Sequence, residues 1–319
     1  MILLAAGLLV ACNSTVDGGE DGTEMAVLTL PQIEMADLDS DKLRVVATTS
    51  IIGDVVAQVG GETIDLKVLI NAGQDSHSYE PGARDLTAAA DAHVIFINGW
   101  GLEEGLLDNL ANVSDTAVLV PVSADIIPLF FTAENDVEQS SHVDPHVWLD
   151  PQNVQQWVKN IEQVLTALDP THASVYEANA MAYLQELDAL LDYMDAQVAS
   201  IPVARRKLVT NHDALGYLAA RYDFTLIGTI LPGGSTLAEP SASDLTQLAR
   251  AMRAADTCAI FTETTANVEL AQATAAELDN CQEVQILSLY IEAISPDSEA
   301  DSYLNMMRTN INLLVKGLQ

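Results

Sequence analysis

Residues 144–151 read DPHVWLDP, and this stretch places one histidine between a proline turn and the start of a helix. Pro145 fixes its own φ angle and biases the preceding residue toward an extended backbone. Asp150 followed by Pro151 is the pattern of a helix N-cap with proline at the first helical position. His146 therefore has little conformational freedom to lose on binding, which suits a metal ligand. An ordinary loop-to-helix junction with an incidental histidine would have the same local sequence.

On both sides of this stretch, strand patterns alternate with helix patterns, which predicts an α/β fold. Strands are predicted at residues 43–50, 64–70, 93–98, 117–120, 207–210, 225–230, 259–262 and 283–289. Helices are predicted at residues 51–59, 84–91, 102–112, 152–168, 171–199, 214–222, 241–255, 268–278 and 302–318. We therefore expect two parallel-sheet α/β lobes, residues 43–168 and 201–319. A long, rigid linker helix within residues 169–200 is expected to join them.

Charge and length limit the classes of partner. The chain has 319 residues, enough for two domains of ordinary size. It carries 46 acidic against 13 basic residues, a formal net charge of −33 at pH 7. This excess argues against nucleic acid or an anionic membrane surface as a partner and favours cations. A surface adapted to high salt would give the same balance.

The N-terminus carries a targeting pattern. A short apolar run leads into LVAC at residues 9–12, which resembles the lipobox of bacterial lipoproteins, in which the cysteine is lipidated. Residues 1–12 are expected to be a lipoprotein signal peptide ending at Cys12, because the run is too short to span a bilayer as a helix. Residues 13–41 are rich in small and acidic residues and predict a flexible tether. The alternative is a buried N-terminal strand with a free cysteine.

Two further cysteines, Cys258 and Cys281, belong to the second lobe. In an oxidising compartment a disulfide between them is expected. Two buried free thiols are the alternative.

Three of the six histidines occupy positions where a cleft between the lobes would gather them. His77 follows the second predicted strand, His146 lies in the opening stretch, and His212 follows the first strand of the second lobe. Because ligands of open α/β sheets bind beyond the carboxyl ends of the strands, we expect these three to share one site. The weaker candidates are His93 at a strand entry, His142 in an acidic loop at residues 132–143, and His172 at the start of the long helix.

Seven segments, in order along residues 43–319, resemble one protein family. They are HSYEPGARDL, ADAHVIFINGWGLE, DPHVWLDP, VTNHDALGYLAARY, AEPSASDL, AIFTE and LSLYIEAIS. The chain is similar in them to the metal-binding lipoproteins of zinc and manganese ABC importers, the solute-binding proteins of cluster A-I. The resemblance implies two α/β lobes bridged by a rigid helix, with the metal in the cleft between them. It also implies a lipid-anchored, extracytoplasmic monomer that delivers metal to an ABC transporter permease.

The resemblance also assigns metal ligands. The family's positions fall on His77, His146 and His212, and its fourth ligand, a carboxylate, falls on Glu292 in LYIEAI. The family more often has aspartate there, so the additional methylene changes the reach of the carboxylate. Glu263 in FTETT is the replacement candidate for this position.

The expected metal is zinc. Three imidazoles and one carboxylate match the tetrahedral N/O preference of Zn²⁺, whereas Mn²⁺ favours more oxygen ligands. The resemblance implies a glutamate in many manganese binders at the position of His212. Zinc-type members often carry a histidine-rich loop, which is reduced here to His142. Mn²⁺ is the alternative.

Affinity is expected to fall as the pH drops through about 6, because protons compete for the histidines.

Two functions of other classes are alternatives. A secreted zinc hydrolase would keep one zinc position open for water, and the sequence has neither an HExxH nor a GxSxG motif. An adhesin is suggested only because some family members carry that label. We therefore expect a binding protein and no enzyme, with modest lobe motion because a long helix resists hinge bending.

Overall fold

The computed structural model describes residues 27–38, 42–103, 105–107, 109–110, 117–131 and 142–319. Within this part of the chain there are two four-stranded sheets whose strands pair in parallel. The first has the order β2-β1-β3-β4, with β1 (Leu43–Thr49), β2 (Ile64–Ile70), β3 (Val94–Ile97) and β4 (Val118–Pro121). The second has the order β6-β5-β7-β8, with β5 (Lys207–Thr210), β6 (Thr225–Thr229), β7 (Ala259–Glu263) and β8 (Gln285–Leu289).

Helices connect and cover the strands. Those described are α1 (Ser50–Gly60), α2 (Ala83–Ala90), α3 (Pro151–Leu168), α4 (Ala173–Val198), α5 (Gly216–Tyr222), α6 (Ala242–Ala255), α7 (Glu269–Ala276) and α8 (Tyr303–Leu318). None of these described helices combines the length and apolarity needed to cross a bilayer.

The predicted fold class, two parallel-sheet α/β lobes joined by a long helix, is confirmed. Every described strand and every α-helix given above agrees with its predicted bounds to within two residues. The helix predicted at residues 102–112 and the loop predicted at residues 132–143 lie partly outside the described residues. The lobe boundaries at residues 168 and 201 stay a prediction.

Side chains that alternate along each strand pack into hydrophobic clusters on both faces of the two sheets. In β1, Val45 and Ala47 pack into a large central cluster, whereas Val46 packs into a smaller cluster on the outer face. The second sheet repeats the arrangement, with Leu208 facing the central cluster and Val209 facing an outer one. Because successive strand side chains point to opposite faces, both sheets are buried on two sides. The central cluster takes side chains from both lobes, so the lobes share one core.

Helix α4 is the element that spans the two lobes. It packs against α1 of the first lobe and against α8 of the second. Its buried residues recur at helical spacing and are Tyr176, Ala180, Tyr183, Leu187, Leu190, Met194 and Val198. One continuous helix in contact with both lobes favours the small lobe motion that the sequence predicts.

Residues 27–38, here called the N-terminal strap, lie against the first lobe. The carbonyl of Leu28 accepts a hydrogen bond from the Asp125 N–H at 2.8 Å, and the Ala36 N–H donates to the Leu168 carbonyl at 3.0 Å. The apolar strap residues Leu30, Ile33, Ala36 and Leu38 pack on the central cluster. The strap falls inside the tether predicted for residues 13–41, so that prediction is wrong for residues 27–38. Composition indicated flexibility there, but regularly spaced apolar side chains bind this part to the core.

Cys258 and Cys281 form a disulfide, with their Cα atoms 5.8 Å apart. The bridge ties the residue before β7 to the segment that leads into β8, 23 positions further along the chain. It therefore closes a loop around α7 in the second lobe.

Removing this bridge is expected to destabilise the protein. Replacing both cysteines with serine should lower the free energy of unfolding by about 3 kcal/mol, because the unfolded chain regains the entropy of an open loop. Chemical denaturation with and without the double substitution measures the loss. Two thiols titrating with Ellman's reagent in native, unreduced protein carrying Cys12→Ser would show that the bridge is absent in solution.

Candidate metal centre

Four loops carry the candidate ligands to one place between the lobes. His77 follows β2, and His146 precedes a 3₁₀ turn (Val147–Leu149) at the start of α3. From the second lobe, His212 follows β5 and Glu292 follows β8. Three of the four loops thus leave the carboxyl ends of parallel strands, where open α/β sheets form binding sites.

The structure brings all four predicted residues together. The Nε2 atom of His146 lies 3.3 Å from Nε2 of His77 and 3.1 Å from Nε2 of His212. One side-chain ligand atom from each of the four residues lies within 4.8 Å of the others. The four residues are between 0 and 3 % exposed. Their nitrogen and oxygen atoms therefore point at a common centre that is shielded from solvent.

Two of the histidines are held by the same local turn. In Asp75-Ser76-His77, the Asp75 carboxylate accepts the His77 backbone N–H at 2.9 Å. In Asp144-Pro145-His146, the Asp144 carboxylate accepts the His146 backbone N–H at the same distance. An aspartate that binds the N–H two residues on forms an Asx turn. The Asp-x-His spacing is therefore a sequence signal for these turns, one that strand and helix patterns do not include.

Carboxylates behind two histidines orient their rings. Asp144 lies 2.7 Å from Nδ1 of His146, and Glu263 lies 2.5 Å from Nδ1 of His212. A proton on Nδ1 shared with a carboxylate directs Nε2 at the centre and increases its basicity as a ligand. Glu263, the replacement candidate for the fourth ligand, thus stands behind His212 and outside the group of four.

Glu292 faces the centre with one oxygen. The Ser76 hydroxyl donates to its Oε2, while Oε1 lies 3.7 Å from Nε2 of both His146 and His212. Among the described residues, this buried Oε1 has no hydrogen-bond partner. A buried carboxylate oxygen without a partner is costly. A cation at the centre would satisfy it.

A chain of buried hydrogen bonds holds the loop that carries His146. The side chain of Asn98 donates to the Pro145 carbonyl at 2.9 Å, and its backbone N–H donates to Glu103 at 2.7 Å. Glu103 also accepts the Thr48 hydroxyl at 2.6 Å. Burial raises the pKa of the Glu103 carboxyl, although these hydrogen bonds oppose the rise. The sequence offered no signal for this support, because its members are distant along the chain.

Burial and neighbouring charges shift the pKa values of the four candidate ligands in different directions. Burial lowers the pKa of His77 to about 3, aided by the neighbouring histidines, and it lowers the pKa of His146 well below 6.5. Burial also lowers the pKa of His212, but the Glu263 carboxylate outweighs it and the pKa rises to about 9. Burial raises the pKa of Glu292 to about 7. At pH 7 the metal-free centre therefore holds its histidine proton on His212.

Metal binding at pH 7 is expected to release about one proton from His212, with a further fraction from Glu292. Because the free protein carries the His212 proton below its pKa of about 9 and the metal-bound protein does not, affinity should rise with pH up to that value. The expected slope is about tenfold per pH unit between pH 7 and 9. Protons would therefore compete with the metal ion for His212 well above the pH of about 6 that the sequence predicts.

Calorimetric titration in buffers of different ionisation enthalpy measures this proton release. A heat of binding that does not change with the buffer would contradict the prediction. The affinity at pH 6, 7 and 8 gives an independent measure of the slope.

The other sequence candidates have separate places. His93 accepts the Arg44 backbone N–H through Nδ1 at 2.9 Å, and His172 lies 2.6 Å from the Asp169 carboxylate. His142 lines a cavity of about 450 Å³ that opens beside His77. Cys12, the predicted lipidation site, lies outside the described residues.

Comparison with known proteins gives consistent matches over nearly the whole chain. The family described as "Zinc-uptake complex component A periplasmic" matches residues 45–317. The "Manganese-binding lipoprotein MntA" of Halalkalibacterium halodurans is 33% identical over 283 residues, 88% of this chain and 90% of that protein. The "Manganese ABC transporter substrate-binding lipoprotein PsaA" of Streptococcus pneumoniae is 28% identical over 100% of this chain and 97% of its own. The structure of the periplasmic zinc binding protein TroA from Treponema pallidum superposes with a TM-score of 0.77 at 29% identity, covering 87% of this chain and 99% of TroA.

Proposed function

Because the chain belongs to the family of periplasmic zinc-uptake component A proteins, we propose that it captures one Zn²⁺ ion outside the cytoplasm and delivers it to an ABC permease. The relatives are substrate-binding proteins of ABC importers rather than enzymes. His77, His146, His212 and Glu292 are the proposed ligands. The ion is the cargo of the protein.

The convergence of four buried donor atoms is the observation that carries this proposal. Three imidazole nitrogens and one carboxylate oxygen are a donor set that suits a tetrahedral site, the coordination that closed zinc sites adopt. The carboxyl groups of Asp75, Asp144 and Glu263 contact the three histidines, and negative charge on these groups favours a dication at the centre. Four protein ligands leave no position for a catalytic water, which argues against a hydrolase.

Mn²⁺ is the second candidate cargo. The similar proteins MntA and PsaA are named for manganese, whereas TroA is named for zinc. The donor set favours zinc, because a site of three nitrogens and one carboxylate suits Mn²⁺ less well, and Mn²⁺ is the weaker binder in the Irving–Williams order.

Delivery requires that the protein remain close to its permease. We propose that a lipid on Cys12 anchors the monomer to the outer face of the membrane and that both lobes close around the ion. The similar proteins MntA and PsaA are named as lipoproteins, which supports the anchor.

Competition titration of metal-free protein against a fluorescent chelator tests the cargo. The expected result is one Zn²⁺ per chain, bound more tightly than Mn²⁺. Binding of Mn²⁺ at least as tightly as Zn²⁺ would overturn the zinc proposal.

Deletion of the gene in its host tests the transport role. We expect cellular zinc to fall under zinc limitation and to recover when the gene is restored. Unchanged metal uptake together with lost surface attachment would favour an adhesin instead.

A further inference from the structure

We propose that a hydrogen bond across the cleft, from Thr236 to Asp75, is a latch that sets how long the metal ion stays bound. The inference rests on the proposed metal-binding function and adds to it the control of the release rate. Neither residue is among the four proposed ligands.

Asp75 connects a ligand of the first lobe to the second lobe. One of its carboxylate oxygens, Oδ1, accepts the backbone N–H of His77 at 2.9 Å. The other, Oδ2, accepts the hydroxyl of Thr236 at 2.5 Å, from a residue 161 positions further along the chain. Hydrogen bonds to a charged group are short and roughly twice as strong as neutral ones. The position of His77 is thereby linked to the position of Thr236.

Thr236 lies on a loop that is fixed to the second lobe. At the base of this loop, the Leu231 N–H donates to the Asn211 carbonyl at 2.7 Å, and the Asp213 N–H donates to the Gly233 carbonyl at 2.9 Å. Asn211 and Asp213 flank His212 in sequence. The loop therefore moves with the second lobe and with its ligand, while Asp75 moves with His77.

The same loop forms one wall of the cavity beside His77. Pro232, Gly234, Ser235 and Ala238 line it, opposite Trp100 of the first lobe. The ring of Phe131 fills the space beside Gly234, where an added Cβ would come within 2.0 Å of it. The four ligands are almost fully buried. Since the cavity reaches His77, it is the path by which the ion leaves.

Release requires His77 to separate from the ligands of the second lobe, and this motion must break the Thr236–Asp75 hydrogen bond. Removing the bond should therefore speed dissociation without changing the set of ligands. The latch thus acts on residence time.

Stopped-flow transfer of Zn²⁺ from loaded protein to excess chelator measures the release rate. Thr236→Val removes the hydroxyl and keeps the shape of the side chain. We expect dissociation to accelerate about tenfold, the effect of one hydrogen bond to a charged group, while the stoichiometry stays at one ion per chain. An unchanged release rate would overturn the latch.

Thr246→Val is the matched control. The Thr246 hydroxyl donates to the Ala242 carbonyl within its own helix, at 2.9 Å. This variant should release Zn²⁺ at the rate of the unaltered protein. Equal acceleration in both variants would overturn the latch, because it would trace the effect to a general loosening of the second lobe.

A double substitution separates the latch from other roles of Thr236. In an Asp75→Ala background the partner of the hydroxyl is gone, so Thr236→Val should add no further acceleration. A further acceleration of similar size in that background would overturn the latch. Failure of the unaltered protein to bind Zn²⁺ or Mn²⁺ would overturn the proposed function itself, whereas normal binding with unchanged release rates overturns the latch alone.

Discussion

Replacing His146 with alanine is expected to lower the affinity for Zn²⁺ by more than about a hundredfold. That figure is the upper end of the loss caused by removing groups that only support a metal ligand, and His146 is central to the site. Its Nε2 lies within 3.3 Å of Nε2 of His77 and 3.1 Å of Nε2 of His212. The substitution also leaves the Asp144 carboxylate buried without the ring that it faces. Competition titration and elemental analysis of the purified variant measure the loss.

His172→Ala is the control for this substitution. His172 also lies beside a buried carboxylate, that of Asp169, but on the far end of α3 from the metal centre. Its removal should leave metal affinity unchanged. Retention of one tightly bound Zn²⁺ by His146→Ala would contradict the assignment of the centre.

Replacing Trp148 with alanine is expected to lower the free energy of unfolding by about 3–5 kcal/mol. The side chain is 2 % exposed, and its Nε1 donates to the Ile291 carbonyl of the second lobe at 3.0 Å. Its own carbonyl accepts the Tyr303 hydroxyl at 2.6 Å. Its indole ring also lies 5.4 Å from the ring of His146. The substitution therefore opens a cavity in the shared core and releases the residue that precedes Glu292.

Trp157→Ala separates these two effects. Trp157 is fully buried and packs 6.3 Å from the ring of Trp148, but its Nε1 donates to Ser123 inside the first lobe. Both variants should lose comparable stability in denaturant titrations of metal-free protein. Only Trp148→Ala should also weaken Zn²⁺ binding by its folded form. Equal metal affinity in the two variants would argue against a role of Trp148 in positioning Glu292.

Most of the fold could be predicted because its signals are local. Apolar runs bounded by Gly, Pro and capping residues located the described strands and α-helices, including the N-cap at Asp150, whose side chain accepts the Gln152 N–H at 2.9 Å. The strap at residues 27–38 could not be predicted from composition. Seven of its twelve residues are apolar, but the polar residues around the strap mask them in the composition of residues 13–41, and their value depends on a surface formed by distant parts of the chain.

The candidate site was predictable to the extent that topology determines it. Histidines that follow parallel strands lie at the carboxyl edges of their sheets, and this topology predicts that His77 and His212 share one site. The supporting groups depend on contacts between residues far apart in sequence. Glu263 behind His212 and Ser76 against Glu292 are examples, separated by 51 and 216 positions. The raised pKa of His212 follows from such a contact, which no local sequence pattern indicates.

The N-terminal strap also limits where the binding cleft can travel. Its Leu28 end is fastened beside Asp125 and, through van der Waals contact, beside Gly99, which follows β3 at the edge of the sheet that bears the metal centre. If Cys12 is the anchored residue, only residues 13–26 separate that edge from the lipid. Fully extended, they reach about 50 Å at most. The metal centre would then stay close to the membrane surface, within reach of a permease embedded in that membrane.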